Sequence, residues 1–166
     1  ANIDLKSFNE DFYKKMTGAS LASILETLKW IKTESDTWLE ITNLIIPGEN
    51  DSEEEIRKMA SWISANLGEN VPLHFSAFFP NYKLTEKPRT EDEILIKAKK
   101  IAESEGIRYC YIGNAIIHGA QSTFCYKCGA EVIKRDRFYG VSNMMAFGRC
   151  ASCGEKIPGI YKQEEK

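Results

Sequence analysis

Four cysteines carry the most specific chemistry in the sequence: Cys125 and Cys128 in "CYKCGAE", and Cys150 and Cys153 in "CASCGEK". A Cys-x-x-Cys-Gly turn points two thiolates at one ion, and its glycine lets backbone N–H groups face the sulfurs. The two pairs are separated by 21 residues. Two such knuckles on facing hairpins give a closed four-thiolate tetrahedron, the usual structural zinc site; four thiolates also suit iron, as in a rubredoxin-like electron carrier. Every coordination position is filled by protein, which leaves none for substrate or water and argues for a clamp rather than a catalyst. The fifth cysteine, Cys110, lies in an apolar run and reads as a buried small hydrophobe.

The remaining candidates stand on strands, where parallel β/α folds collect their ligands. Asp4 and Lys6 flank Leu5 and so share one face of a first strand, an acid and a base that could hold a zwitterion. On the residues alone, an exposed ion pair is the simpler account. Glu40 and Thr42 share one face of a second strand, with Asn43 on the other. A carboxylate in so apolar a run is costly unless it is paired or functional, or faces a solvated rim. His74 and Ser76 share a face of a third strand, although a lone histidine is more often a hydrogen-bonded core residue. His118 reads as surface, and Gly48–Asp51 as a turn whose Asn or Asp caps the following helix.

The elements that must position these residues alternate between strand and helix. After a stub at Ile3–Leu5, a short helix is expected over Asn9–Thr17 and a longer one over Ser20–Lys32. "TWLEITNLII" (Thr37–Ile46) is β-branched and apolar, and Pro47–Gly48 ends it. Asp51–Leu67 is the next helix, with Ser52-x-x-Glu55 as a capping box. Val71–Phe79 is strand-like, a helix opens at Thr90-x-x-Glu93 and ends at Gly106, and Ile107–Gly113 is a last strand. This order predicts an α/β fold with a parallel sheet, or part of a β/α barrel. Residues 130–149, between the knuckles, alternate enough to supply hairpin strands, and residues 162–166 are a polar end. The expected division is a β/α domain over residues 1–118 and a zinc-ribbon-like domain over residues 119–166.

Composition excludes some function classes. The net charge is −2. Residues 121–166 hold eight Lys/Arg against five Asp/Glu, an excess that four thiolates would offset, so no nucleic-acid surface is expected. No run approaches the roughly 20 apolar residues of a membrane span. Cysteines arranged as metal ligands predict a reducing, cytoplasmic setting. The chain opens on a strand without an initiator Met, which hints at a preceding part.

Taken in order, "NIDLKSF", "WLEITNLIIPGEND", "VPLHFSAFFPNYK", "YCYIGN" and the double knuckle resemble one family. They look like the C-terminal half of the radical S-adenosylmethionine enzyme of the AmmeMemoRadiSam system, itself related to pyruvate formate-lyase activating enzymes. The resemblance covers nearly the whole chain. It implies a partial β/α barrel in which strand ends hold S-adenosylmethionine against a [4Fe–4S] cluster, whose reductive cleavage yields a 5′-deoxyadenosyl radical. On that resemblance Asp4 and Lys6 lie beside the methionine part of the cofactor, Thr42 or Asn43 contacts the same ligand, and His74 and Ser76 line the next strand.

Two departures accompany it. The family's Cys-x3-Cys-x2-Cys motif is absent, so the chain alone should be inactive and the cluster should come with an N-terminal half. Phe79 stands where many relatives have His. The expected partners are that missing half, or a second copy meeting open sheet edges. The catalytic residues and the substrate are not legible. A different class of function, a non-enzymatic zinc-ribbon module that recruits a protein partner, fits the same knuckles.

Overall fold

The structure, a computed structural model, describes residues 1–136 and 140–161. The expectations for residues 137–139 and 162–166 lie outside the described residues. The chain divides into two compact units, Ala1–Ile117 and His118–Lys166.

The first unit is a four-stranded parallel sheet of β1 (Asn2–Asp4), β2 (Glu40–Ile45), β3 (Leu73–Ala77) and β4 (Cys110–Gly113). Its strand order is 1-2-3-4. Strands added one after another in the same direction make an arc of a β/α barrel; a doubly wound sheet would reverse direction part-way. Between them run α2 (Leu21–Glu34), α3 (Glu53–Leu67) and α4 (Asp92–Ser104). Alternation puts Ile41, Asn43 and Ile45 of β2, and Leu73, Phe75 and Ala77 of β3, on one fully buried face. Glu40, Thr42, Leu44, His74 and Ser76 point to the other, half-buried face. The buried face meets the apolar stripes of the helices, Ile56, Met59, Ala60, Ile63 and Leu67 of α3 and Leu95, Ala98, Ile101 and Ala102 of α4.

Three local expectations are corrected. The helix expected over Asn9–Thr17 is one α turn, α1 (Glu10–Phe12), that widens into a π turn over Tyr13–Thr17 and stops at Gly18 in the left-handed region (φ 68°). Thr90 does not cap α4. It is buried, its hydroxyl donates to Ile45 O (2.6 Å) and accepts from Phe78 N–H (2.9 Å), and Glu91 takes the cap position. Ser52 caps α3 by accepting from Glu55 N–H (3.3 Å), but the Glu55 carboxylate does not fold back on it. That carboxylate accepts instead from the Ser7 hydroxyl (2.5 Å) and Phe8 N–H (2.8 Å), tying α3 to the loop after β1.

The second unit is built from β5 (Thr123–Phe124), β6 (Glu131–Asp136) and β7 (Gly140–Asn143) in one antiparallel sheet, with β8 (Met145–Ala146) and β9 (Arg149–Cys150) as a small hairpin. Among its described residues, Val132, Ile157, Cys125 and Cys150 are the most buried side chains. A unit as short as His118–Lys166 commonly draws on another source of stability besides its core. Among the described residues, no helix of the chain is long and apolar enough to cross a membrane.

Candidate functional site

The two knuckles are built alike. Cys125 O accepts from Gly129 N–H and Cys150 O from Gly154 N–H, both at 2.8 Å. Cys125 N–H donates to Ala130 O and Cys150 N–H to Glu155 O, again both at 2.8 Å. Gly129 (φ 74°) and Gly154 (φ 73°) take the left-handed conformation that the turn demands and that side chains disfavour. The result brings Cys125, Cys128, Cys150 and Cys153 together, with all four sulfurs within 4.8 Å of one another. Across the knuckles, Cys125 Sγ and Cys153 Sγ are 3.7 Å apart, and Cys128 Sγ and Cys150 Sγ 3.6 Å. A tetrahedron of thiolates at the zinc–sulfur distance of about 2.3 Å has edges of about 3.8 Å, so the donor set fits one four-thiolate ion.

The four thiols are not equivalent. Cys150, where backbone N–H groups of Cys153 and Ser152 oppose desolvation, falls to about 7. Cys153 accepts from the Glu155 backbone N–H, yet the surrounding sulfurs hold it up at about 12. Glu155 belongs to the second knuckle and reaches the first, accepting from the Tyr126 hydroxyl (2.9 Å) and pairing with Lys127 (3.1 Å).

Cys110 takes no part. It is buried in β4, and burial pushes its thiol up to about 12, which leaves it neutral and inert.

In the first unit, strand register assembles residues that lie far apart in sequence. Asp4 pairs with Thr42, Thr42 with His74 and His74 with Tyr111, so these four form one row across the half-buried face. Leu44, Ser76 and Gly113 form the next row toward the strand ends. A side chain at Gly113 would place its Cβ 2.9 Å from Ser76 Oγ, so the glycine leaves room for that hydroxyl. Lys6 Nζ lies 3.0 Å from Asp4 Oδ2, and both side chains remain over one-third exposed. An acid and a base held side by side by a strand end, and still accessible, can exchange their mutual pairing for the two charges of an amino acid. Thr42 Oγ1 donates to Asn2 Oδ1 (2.9 Å).

Glu40 does more than face solvent. Its Oε2 lies 2.7 Å from His74 Nε2, its Oε1 accepts from Trp38 Nε1 (2.9 Å), and the His74 ring packs on Tyr111 with centroids 5.0 Å apart. A carboxylate with an indole N–H already on one oxygen orients the imidazole, so His74 is neither a core histidine nor a loose one. Glu40, expected to be paired, functional or at a solvated rim, is paired with His74. Tyr111 was not singled out, and the signal that finds it is the period-two alternation that also selects Thr42 and His74.

Asn43 is the exception among the expected ligand residues. It points to the helix-covered face, 1 % exposed, where Nδ2 donates to Leu5 O (2.8 Å) and Lys6 O (3.1 Å). Its Oδ1 is buried with no hydrogen-bond partner among the described residues. Phe79, at the strand end, is half exposed and covered by the Arg89 guanidinium 5.2 Å from the ring centroid.

No protein-family model matches the chain. An uncharacterized protein from Methanocaldococcus jannaschii is 44% identical over 158 residues, which are 94% of this chain and 47% of that protein. The chain thus spans about half the length of the curated relative it matches. Among solved structures, a domain of pyruvate-formate lyase-activating enzyme from Bacteroides vulgatus superposes with a TM-score of 0.56 at 21% identity, over 68% of this chain and 65% of its own. A radical SAM methyltransferase from Sphaerobacter thermophilus superposes with a TM-score of 0.57 at 14% identity, over 67% of this chain and 32% of its own. At such identities these likenesses concern the fold alone, an α/β arc shared with both proteins, followed here by a four-cysteine group that could hold a metal.

Proposed function

We propose that the chain is the C-terminal half of a radical S-adenosylmethionine enzyme of the AmmeMemoRadiSam type. On this reading the arc holds the cofactor, the ribbon holds a structural zinc ion, and a [4Fe–4S] cluster comes with an N-terminal half. The single observation that carries the reading is the row led by Asp4. A carboxylate and an ammonium stand 3.0 Å apart at the end of β1, on the face that also presents Thr42, His74 and Ser76.

S-adenosylmethionine has a zwitterionic end and hydrogen-bonding groups along its length, and those residues fit it. Asp4 takes the ammonium and Lys6 the carboxylate, while Thr42, Ser76 and His74 supply hydrogen bonds farther across the sheet. When bound beside a reduced cluster, the cofactor supplies a carbon radical that removes hydrogen from a substrate. This chain's own contribution is to bind the cofactor, hold its orientation on rigid strands and limit water at the half-buried face. Asn43 is not a ligand in this scheme.

The chain holds no Cys-x3-Cys-x2-Cys sequence. The sulfurs that do converge are spaced for one ion, which is why the cluster is placed outside the chain. The deciding experiment measures reductive S-adenosylmethionine cleavage in the full-length protein after iron and sulfide reconstitution. The reading expects 5′-deoxyadenosine and methionine, lost in Asp4→Asn. Full cleavage by that folded variant would remove this face from the cofactor site.

A second reading, a ribbon that recruits a protein partner without chemistry, is favoured by Phe147. It sits in the β8–β9 turn at φ 53°, a conformation costly for a bulky side chain, with 80% of its surface exposed. A stable complex that survives in Asp4→Asn and is lost in Phe147→Ser would support it.

A further inference from the structure

The strand end that presents Asp4 and Lys6 is gripped from behind. Lys6 N–H donates to the Tyr13 hydroxyl (2.9 Å), and Lys6 O accepts from Asn43 Nδ2 (3.1 Å) and Asn50 Nδ2 (2.5 Å). Asn43 also takes Leu5 O (2.8 Å). Asn50 also spans its own turn, accepting from Ile46 N–H (2.7 Å) and donating to Leu44 O (2.9 Å). Both backbone groups of Lys6 are therefore satisfied by side chains. Those side chains come from the π turn and from the "NLIIPGEN" segment that leaves β2.

The gripping residues are hidden: Asn43 is 1%, Asn50 2% and Tyr13 2% exposed, while Asp4 and Lys6 stay accessible. Their chemistry is specific as well. Two converging carbonyls require N–H donors, which Leu lacks and an ionised Asp would oppose. Asn50 must in addition accept from Ile46, so it needs both halves of an amide. Burial pushes the Tyr13 phenol up, which keeps it neutral. Helix capping would not require any of this, since Ser52 already caps α3.

We propose that Asn43, Asn50 and Tyr13 are positioning residues that fix the Lys6 backbone and thereby set the Asp4–Lys6 spacing for an amino-acid zwitterion. This rests on the assignment of Asp4 and Lys6 above and goes beyond it by giving "NLIIPGEN" a role at β1 instead of at the ligand. A long lysine side chain is easily misplaced, and a pinned backbone reduces the ordering that the ligand would otherwise have to impose.

The test compares two probes on the full-length protein by calorimetry. S-adenosylmethionine carries the zwitterion; 5′-deoxyadenosine lacks it. Asn43→Ser, Asn50→Ser and the milder Tyr13→Phe, each checked for folding by circular dichroism, should weaken S-adenosylmethionine about tenfold and leave 5′-deoxyadenosine unchanged. Equal weakening of both probes would assign the three residues a general structural role and overturn the proposal, as would unchanged affinity for both. If an Asn variant does not fold, Tyr13→Phe decides by the same split. Asp4→Asn and Lys6→Met separate the two levels: unchanged S-adenosylmethionine affinity in those variants would mean that the zwitterion assignment itself is wrong, whatever the Asn variants do.

Discussion

The two knuckles of the ribbon repeat each other hydrogen bond for hydrogen bond, whereas the strands of the arc carry a different polar residue at each place in a row. The ribbon places four identical donors around one point, and two copies of a seven-residue motif supply them. The arc places Asp4, Thr42, His74 and Tyr111 side by side through the pairing of four strands, so its site exists only when the whole unit is folded. A site for a metal can be local because the ion itself supplies the cohesion. A site for an extended polar ligand must be prearranged by a core that is stable without it.

The largest expected effect breaks that contrast at the ribbon. On the proposed zinc reading, the ion contributes on the order of 10 kcal/mol to folding of a small site. Chelation, or Cys128→Ser, should therefore unfold the ribbon around residues 120–160 while the arc keeps its amide protection in hydrogen exchange. Loss of protection in β2 and β3 together with the ribbon would show that the two are one folding unit. Metal analysis of the purified protein identifies the ion, since iron is coloured and redox-active and zinc is neither.

The next effect approaches from the other side. Phe75 is fully buried in β3, and Phe75→Ala should cost the arc about 3–5 kcal/mol while the metal content per chain stays the same. A fall in bound metal in that variant would contradict the local character of the knuckles. Smaller again is Thr90→Val, which keeps shape but removes the hydroxyl between Ile45 O and Phe78 N–H. It should cost about 1–3 kcal/mol in a denaturant titration, because two buried backbone groups lose a partner. A change within error would mean that water replaces the hydroxyl.

The same contrast explains what the sequence could and could not tell. The knuckles are legible because a closed donor set with fixed spacing has few other uses. The strands are legible as elements because β-branched apolar runs end at Pro47–Gly48 and at Gly113. Alternation alone also separates Thr42 from Asn43. Thr90 and Glu55 were misleading because capping patterns describe local competition for N–H groups, and here distant partners won: Ile45 and Phe78 for one, Ser7 and Phe8 for the other. The use of Asn50 was hidden for a related reason. "GEND" reads as a turn, and nothing local says that a carbonyl 44 positions away waits for its amide.

The smallest expected effect concerns pH and lies in that same turn. Glu49 is held below the usual carboxylate range chiefly by its hydrogen bond from Lys87 (2.7 Å), with Lys15 at 3.6 Å adding to it. A carboxylate depressed in the folded state contributes stability that is fully present above its unfolded value, about 4.3 for Glu, and is lost as pH falls through the folded value. Lys87→Met should therefore lower the melting temperature of the arc slightly at neutral pH. The gap from the parent should narrow below about pH 4.3 and shrink in high salt, since the pair is near the surface. A gap that stays constant into strong acid would trace the loss to the packing of the lysine stem instead of its charge.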